Sequence, residues 1–221
     1  AAPTKRIKDI ATLHAAPLVK VEDSGFRGRK VRTLDLRHRD ITNLTPFMVL
    51  PNLKVVDLRK TAVEDLSPLS KLSSLRHLYL NQTPVEDLSP LSKLTQLEGL
   101  SLNETSITNI KPLANLGNLR LLGMSHTSVL DLGPLSHLKK LELLNLSFTN
   151  VNDLSALLNL PRLRLLDLRG NDLDNLLDTL LLLSLDAIWL TSKDKIPKNI
   201  QLNFKVNPIE EPFIYWRRKK H

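Results

Sequence analysis

The sequence predicts an α/β solenoid in which about eight short parallel strands form a concave sheet and short 3₁₀ turns return the chain on the convex side. Three observations predict this fold: apolar residues recur every 22 positions, each period contains one alternating apolar pair, and a Pro-containing segment follows most pairs. A short fixed period implies that each strand lies beside the preceding one, in parallel.

The strands are predicted from apolar pairs such as Leu78 and Leu80, which flank Tyr79 in a pattern typical of a half-buried strand. The pair recurs through the chain from residue 34 to residue 190. Its second members are Leu36, Leu58, Leu80, Leu102, Met124, Leu146, Leu168 and Leu190.

The return segments are predicted to contain one helical turn each. Residues 67–72 and 89–94 share the sequence Ser-Pro-Leu-Ser-Lys-Leu, and Pro favours the first helical position with Ser before it. Each return has room for about one turn, which favours a 3₁₀ helix over a full α-helix.

Two sets of polar residues recur at equivalent positions of successive repeats, and we call each such set a column. Both columns have a structural interpretation, since a chain that bends sharply after each strand exposes backbone groups that short polar side chains can satisfy. One column follows the strands and the other precedes the helical turns. The first contains Thr61, Thr83, Thr105, Thr127, Thr149 and Asn171, and the second Asp65, Asp87, Asn109, Asp131, Asp153 and Asn175.

The repeat L-x-x-L-x-L-x-x-T-x-V/I-x-D-L-S-P-L-x-x-L over residues 31–190 resembles the short, 22-residue class of leucine-rich repeats. That class includes the bacterial internalins and phosphatase-regulator-like intracellular proteins, and here Thr stands where it usually has Asn. The resemblance implies a horseshoe that binds other macromolecules, usually on its concave face. It does not identify the partner.

Three segments are predicted: a basic, partly helical N-terminal cap at 1–30, the solenoid at 31–190, and a C-terminal cap strand with a basic tail at 191–221. The cap strand is predicted at residues 200–206. The net charge of +8 lies at the ends, because residues 1–40 and 191–221 each carry +5 whereas residues 41–190 carry −2.

The concave face is predicted to carry an apolar row in its later repeats, formed by Leu121, Leu143 and Leu165 and bordered by Phe148 and Trp189. Solvent-facing sheet positions are normally polar, so a stacked leucine row indicates a covered surface. Either a partner protein or the apolar segment 213–216 of the C-terminal tail could supply the cover.

Asp-Leu-Arg triplets at 35–37, 57–59 and 167–169 place opposite charges on the same sheet face. A charge ladder within the protein and recognition of a ligand both explain them. His77 and Tyr79 lie on the strand that follows the second triplet.

The leading hypothesis is a non-catalytic scaffold that binds a protein partner on the concave face, without a small-molecule substrate. Its expected contact residues are Leu121, Leu143, Leu165, Phe148, Trp189, Tyr79, His77, Arg37, Arg59 and Arg169. The alternative is a subunit of a ribonucleoprotein or other large assembly, whose basic ends contact RNA backbone or an acidic partner. The residues for that contact are Arg27, Arg29, Lys30, Arg217, Arg218, Lys219 and Lys220.

Other classes of function find little support in the sequence. The chain has no Cys, no short His ligand spacing and no Gly-rich phosphate loop, so neither a metal site nor a cofactor is predicted. Asp57, His77 and Ser101 are the sole triad candidate, and no nucleophile elbow accompanies them. The run at 176–185 is too short to span a bilayer. The absence of Cys favours an intracellular location, and the first residue, Ala1, leaves open an organellar, processed product.

Overall fold

A computed structural model describes residues 31–191, 204–210 and 213–218. In that part of the chain a single sheet contains ten strands, ordered from β1 to β8 along one direction and ending with β10 and then β9. The strands are β1 Thr33–Asp35, β2 Val55–Asp57, β3 His77–Tyr79, β4 Gly99–Ser101, β5 Leu121–Gly123, β6 Leu143–Asn145, β7 Leu165–Asp167, β8 Ala187–Thr191, β9 Phe204–Glu210 and β10 Phe213–Arg218.

The first eight strands pair in parallel, and every pairing joins residues 22 positions apart. Leu34 faces Val56, Leu78 faces Leu100, and the same register continues to β7 and β8. The predicted parallel sheet of eight strands is thus confirmed, because the sequence period and the sheet register are the same number.

The return segments are 3₁₀ helices after each of the first six strands, as predicted. They span Thr45–Val49, Ser67–Lys71, Ser89–Leu91, Lys111–Asn115, Gly133–His137 and Ser155–Asn159. The return after β7 differs from the prediction, because it forms the short α-helix α1, Leu177–Leu182. Its sequence has no Pro and a run of leucines, which are strong α-helix formers.

The core lies between the sheet and the helical returns. The two apolar columns of the strands and the leucines of the returns pack into one continuous cluster, and from Leu53 onward most members are fully buried. Leu36 in the first repeat is only half-buried. The leucine count of the sequence is therefore set by one stacked core.

The two polar columns bond to the backbone as predicted, except at Asn175, which precedes the α-helix α1 in place of a 3₁₀ helix. Each Thr hydroxyl donates to the carbonyl three residues earlier, for example Thr83 Oγ1 to Leu80 O at 2.6 Å. Each Asp or Asn before a 3₁₀ helix accepts the N–H two residues later, as Asp87 Oδ1 does from Ser89 N at 2.8 Å. Both columns satisfy groups that the sharp turns would otherwise leave unpaired.

The C-terminal end contains more strand than the sequence predicted. A strand was expected at 200–206, and β9 at Phe204–Glu210 overlaps it at residues 204–206, while residues 200–203 lie outside the described residues. A further strand, β10, forms where an apolar cluster and a basic tail were expected. β10 pairs antiparallel with β8 and with β9. It supplies partners for the backbone edge of β8 that no further repeat would cover.

Candidate functional site

The concave face is the side of the sheet that does not pack on the helical returns. Two parts of it differ in chemistry. The charged part comprises the concave side chains of β1 to β3 and the Arg residues that follow β1 and β2, namely Thr33, Asp35, Arg37, Val55, Asp57, Arg59, His77 and Tyr79. The apolar part comprises Leu121, Leu143, Leu165, Ala187 and Trp189 on β5 to β8.

In the charged part each Asp binds the Arg two residues later. Arg37 donates through Nε to Asp35 Oδ1 at 2.9 Å and through Nη2 to Oδ2 at 2.8 Å. Arg59 holds Asp57 in the same way, at 2.9 and 2.7 Å. Arg37 Nε also lies 3.4 Å from Asp57 Oδ2, which links the two pairs. The triplets therefore form the charge ladder that was one of the two interpretations.

The ladder arises from local geometry. The Oδ1 atoms of Asp35 and Asp57 also accept the backbone N–H two residues later. This backbone bond orients each carboxylate toward the guanidinium of the same triplet. Hydrogen bonding to Arg37 lowers the pKa of Asp35, whereas burial opposes this shift. The charge on Arg59 also lowers the pKa of Asp35. Charge-assisted, bidentate pairs of this kind are the stronger hydrogen bonds.

His77 and Tyr79 border the ladder. The Arg59 guanidinium carbon lies 5.4 Å from the centroid of the Tyr79 ring, a cation–π contact. Burial raises the pKa of Tyr79 and lowers that of His77, so the imidazole is neutral at pH 7. The His77 ring occupies the space above Gly99, where a Cβ would lie 2.6 Å from Nδ1.

The apolar part is far less accessible than a binding surface of exposed leucines would be. Leu143 is 1% exposed, Leu165 8% and Trp189 7%, and together with Ala187 they form a cluster separate from the core. Leu121 is half-buried and packs against this cluster. Leu143 and Leu165 are thus buried and Leu121 is half-buried, and a cover supplied by a partner stays a prediction.

The C-terminal tail was one of two covers suggested for this row. The backbone of β10 runs beside β8 and extends the sheet, with Tyr215 opposite Trp189. A strand in that position continues the sheet past its last parallel strand and does not lie across β5 and β6. The backbone of residues 213–218 therefore lies beside β8 and does not cover Leu121 and Leu143.

Phe148 is the exposed apolar side chain at the margin of the apolar part. It is 39% exposed, and its ring stacks on His126 with centroids 4.5 Å apart. On the other side lies Gly170, whose φ of +72° favours glycine and where a Cβ would be 2.2 Å from Phe148 Cδ1. The glycine therefore creates the space that the ring occupies.

His126 was not among the residues predicted for the site. It precedes Phe148 by one period, and both belong to a column with φ near +55° that also contains His38, Lys60, Gln82 and Glu104. The 22-residue spacing to Phe148 was a signal that could have identified it.

The remaining arginine of the predicted site, Arg169, repeats the ladder inside the apolar half. It donates to Asp167 through Nε at 2.9 Å and through Nη2 at 2.6 Å, and Asp167 is fully buried. All three predicted arginines thus have carboxylate partners within the chain.

The candidate triad has other contacts. Asp57 is held by Arg59, and Ser101 is fully buried and accepts a hydrogen bond from Asn103 Nδ2 at 3.3 Å. Among the described residues there is no cluster of three or more acidic, His or Cys side chains suited to a metal ion. In the same part of the chain no helix has both the length and the apolar character needed to cross a bilayer.

The basic residues predicted for contact with RNA or an acidic partner lie at the two ends of the chain. Arg27, Arg29, Lys30, Lys219 and Lys220 lie outside the described residues. Arg217 and Arg218 belong to β10, of which the backbone pairing is described. Their contact with a partner stays a prediction.

Comparison with known proteins places this fold in a family. A family model described as Leucine Rich repeats (2 copies) matches residues 73–115. A search of curated proteins finds no match to the chain. Among solved structures, internalin C2 from Listeria monocytogenes is 34% identical, with a TM-score of 0.67 over 73% of this chain and 71% of that one.

Two further solved structures are similar. An internalin (inlF) from Listeria monocytogenes is 30% identical, with a TM-score of 0.68 over 80% of this chain and 52% of that one. A leucine-rich repeat protein from Leptospira interrogans, 24% identical over 72% of this chain and 43% of that one, has the same fold with a TM-score of 0.66. Leucine-rich repeat domains are in general non-catalytic scaffolds for protein interaction. Repeat, register and similarity together establish that the chain belongs to the internalin-like leucine-rich repeat proteins.

Proposed function

We propose that this protein is a non-catalytic scaffold that binds a protein partner on its concave face. The accessible contact residues are Tyr79 and His77 at the border of the charged part, with Leu121 and Phe148 in the later repeats. Leu143, Leu165 and Trp189 form the buried support beneath them. Arg37, Arg59 and Arg169 bind carboxylates within the chain and contribute to the orientation of the partner.

The observation that carries this proposal is the rigid, exposed ring of Phe148. The other members of its column at φ near +55° are polar or charged, so an apolar ring at this position is an exception. Stacking on His126 and contact with Gly170 restrict its rotation. A large apolar group that is already ordered loses little entropy on binding, and aromatic residues of this kind dominate interface energetics.

The test is capture of the partner by immobilised protein from the source cell, followed by binding measurements with the purified partner. Phe148→Ala is expected to weaken binding at least tenfold. The matched control is Leu130→Ala, because Leu130 is a more exposed apolar residue, at 56%, and lies next to the 3₁₀ helix Gly133–His137 on the convex side.

The thermal unfolding midpoint of each variant separates loss of binding from loss of fold. Equal affinities of wild type and Phe148→Ala would overturn the assignment of this residue. A loss confined to Leu130→Ala would move the binding surface to the convex side.

A further inference from the structure

One column of charged side chains lies on the side of the sheet where the strands begin, at the position directly before each strand. From the third repeat it alternates strictly in sign and pairs across neighbouring repeats. Arg76 binds Glu98, Arg120 Nε lies 3.0 Å from Glu142 Oε1, and Arg164 Nη1 lies 3.4 Å from Asp186 Oδ1. Its members are Arg32, Lys54, Arg76, Glu98, Arg120, Glu142, Arg164 and Asp186.

The first two members break this alternation. Lys54 N–H donates to Arg32 O at 2.7 Å and Arg76 N–H donates to Lys54 O at 2.8 Å, so three cations occupy consecutive positions. Within the described residues neither Arg32 nor Lys54 has an acidic partner. Adjacent like charges destabilise a sheet, so this arrangement is unfavourable for the free protein.

The opposite edge of the same strands carries a further cation. Lys60 is exposed and belongs to the column with φ near +55°. One repeat later in that column, Gln82 donates through Nε2 to Glu104 Oε2 at 2.7 Å. Lys60 has no such partner among the described residues, and the residue before it in the column is His38. Cations without an acidic partner among the described residues thus precede β1 and β2, and one more follows β2.

Between these edges the surface is electrically balanced, because Arg37 and Arg59 bind Asp35 and Asp57. The excess of positive charge is therefore located in Arg32, Lys54 and Lys60. Over residues 31–60 there are six Lys and Arg against three Asp, whereas residues 61–191 contain ten against fourteen acidic residues.

We infer that Arg32, Lys54 and Lys60 form a docking site for an acidic polypeptide segment, one rich in Asp and Glu, at the first two repeats of the concave face. This inference rests on the proposed function and names the chemistry of one end of the partner. Carboxylates of such a segment would supply to these cations what Glu98 and Glu142 supply in later repeats.

The arrangement favours a polypeptide over a nucleic acid. Asp35 and Asp57 lie between the two cationic edges, and a phosphodiester backbone would bring a negative charge over them at every nucleotide. A polypeptide can place neutral residues there. The concave positions of β1 to β3 also offer Tyr79 as their one aromatic side chain besides His77, which is too few for a base-stacking surface.

The test uses a fluorescently labelled 16-residue peptide of alternating Glu and Ser, with binding measured by anisotropy in low and in physiological salt. We expect Lys54→Gln/Lys60→Gln to weaken binding at least tenfold. The control is Lys93→Gln/Lys111→Gln, which removes the same charge from exposed positions at the convex returns. Both pairs leave the basic termini unchanged, so any contribution of the termini is common to all proteins compared.

Lys54→Glu adds a sharper condition. It restores the alternation of sign with Arg32 and Arg76, so we expect a thermal midpoint at or above that of wild type together with loss of peptide binding. A variant that keeps its stability and loses binding separates the site from a structural role.

Several outcomes would overturn the inference. These are no binding of the peptide by wild type, equal loss in the control pair, or tighter binding of a 16-nucleotide oligo-dT that shows the same dependence on Lys54 and Lys60. Failure of this inference can be told apart from failure of the proposed function. If binding of the purified partner still requires Phe148 but does not depend on Lys54 and Lys60, the scaffold proposal stands and the inference of an acidic segment is wrong.

Discussion

The same three residues, Asp-Leu-Arg, occur at both ends of the concave face in different surroundings. At residues 35–37 the paired side chains are each about one-fifth exposed, at 20% for Asp35 and 19% for Arg37. At residues 167–169 the Asp is fully buried while the Arg is 18% exposed. The bond lengths are nearly identical, so the two pairs differ in environment and not in geometry.

The difference teaches that one repeat motif can serve two purposes. In the charged part the pairs form a partly exposed surface of balanced charge, where screening by solvent reduces the contribution of each pair. In the apolar part the pair lies beside the buried cluster of Leu143, Leu165 and Trp189. Removing Arg169 leaves the fully buried Asp167 carboxylate without the guanidinium that compensates its charge.

The largest effect should come from placing a charge in the two parts at equivalent positions. Val55 on β2 and Leu143 on β6 occupy the same column, but Val55 is half-buried and Leu143 almost fully buried. We expect Leu143→Arg to lower the free energy of unfolding by about 4 kcal/mol, because it buries a charge at a position that has no carboxylate to pair with it. Val55→Arg should cost less than about 1 kcal/mol.

Urea unfolding followed by circular dichroism measures both values. Similar costs at the two positions would show that the two parts are equally accessible in solution. Because Leu143→Arg tests stability, it is unsuited to testing partner binding, and Leu121 or Phe148 serves that purpose better.

The second comparison removes the arginine from each end. Arg169→Ala should cost about 3 kcal/mol, because it leaves the fully buried Asp167 carboxylate without its guanidinium beside the apolar cluster. Arg37→Ala should cost under about 1 kcal/mol, the usual range for a partly exposed pair. The ratio of the two, measured under identical unfolding conditions, is the quantity that distinguishes the environments, and a ratio near one would contradict the assignment.

Much of this fold was predictable from the sequence because a 22-residue period leaves one register for the sheet. The strands, the 3₁₀ returns and the roles of the Thr and Asp columns each follow from a residue and its position in the period. Thr61 and Asp65, for example, bond to the backbone as expected.

The parts that were not predictable depend on neighbours in space. The period assigns Leu143 to the concave face, but its exposure depends on how Leu165 and Trp189 pack beside it. For the Asp-Leu-Arg triplets the sequence left two interpretations open, and the side-chain positions favour the charge ladder, since Arg37 and Arg59 bind Asp35 and Asp57. The α-helical return α1 and strand β10 lie where the repeat ends, so the period gives no information there.

A smaller effect is expected at the glycine beside Phe148. Gly170→Ala places a Cβ against the aromatic ring and in a left-handed conformation, so it should cost about 2 kcal/mol. In a Phe148→Ala background the steric part disappears, and the same change should cost about 1 kcal/mol, the penalty of the left-handed backbone. A double-mutant cycle measures the difference, and strict additivity would show that the ring does not lie over Gly170 in solution.

The smallest expected effect is a pH dependence that belongs to the charged part. Burial lowers the pKa of His77; among its neighbours Glu98 opposes this shift, while Arg76 and Arg120 reinforce it. In the unfolded chain a histidine takes up a proton near pH 6.5, whereas folded His77 does so only at lower pH. Stability is therefore greatest above pH 6.5 and decreases as the pH falls toward the folded pKa, because the unfolded state binds more protons in that window. His77→Gln should reduce this slope in unfolding midpoints measured from pH 7 to pH 5, and identical slopes for wild type and variant would show that the imidazole is as well solvated in the folded protein as in the unfolded chain.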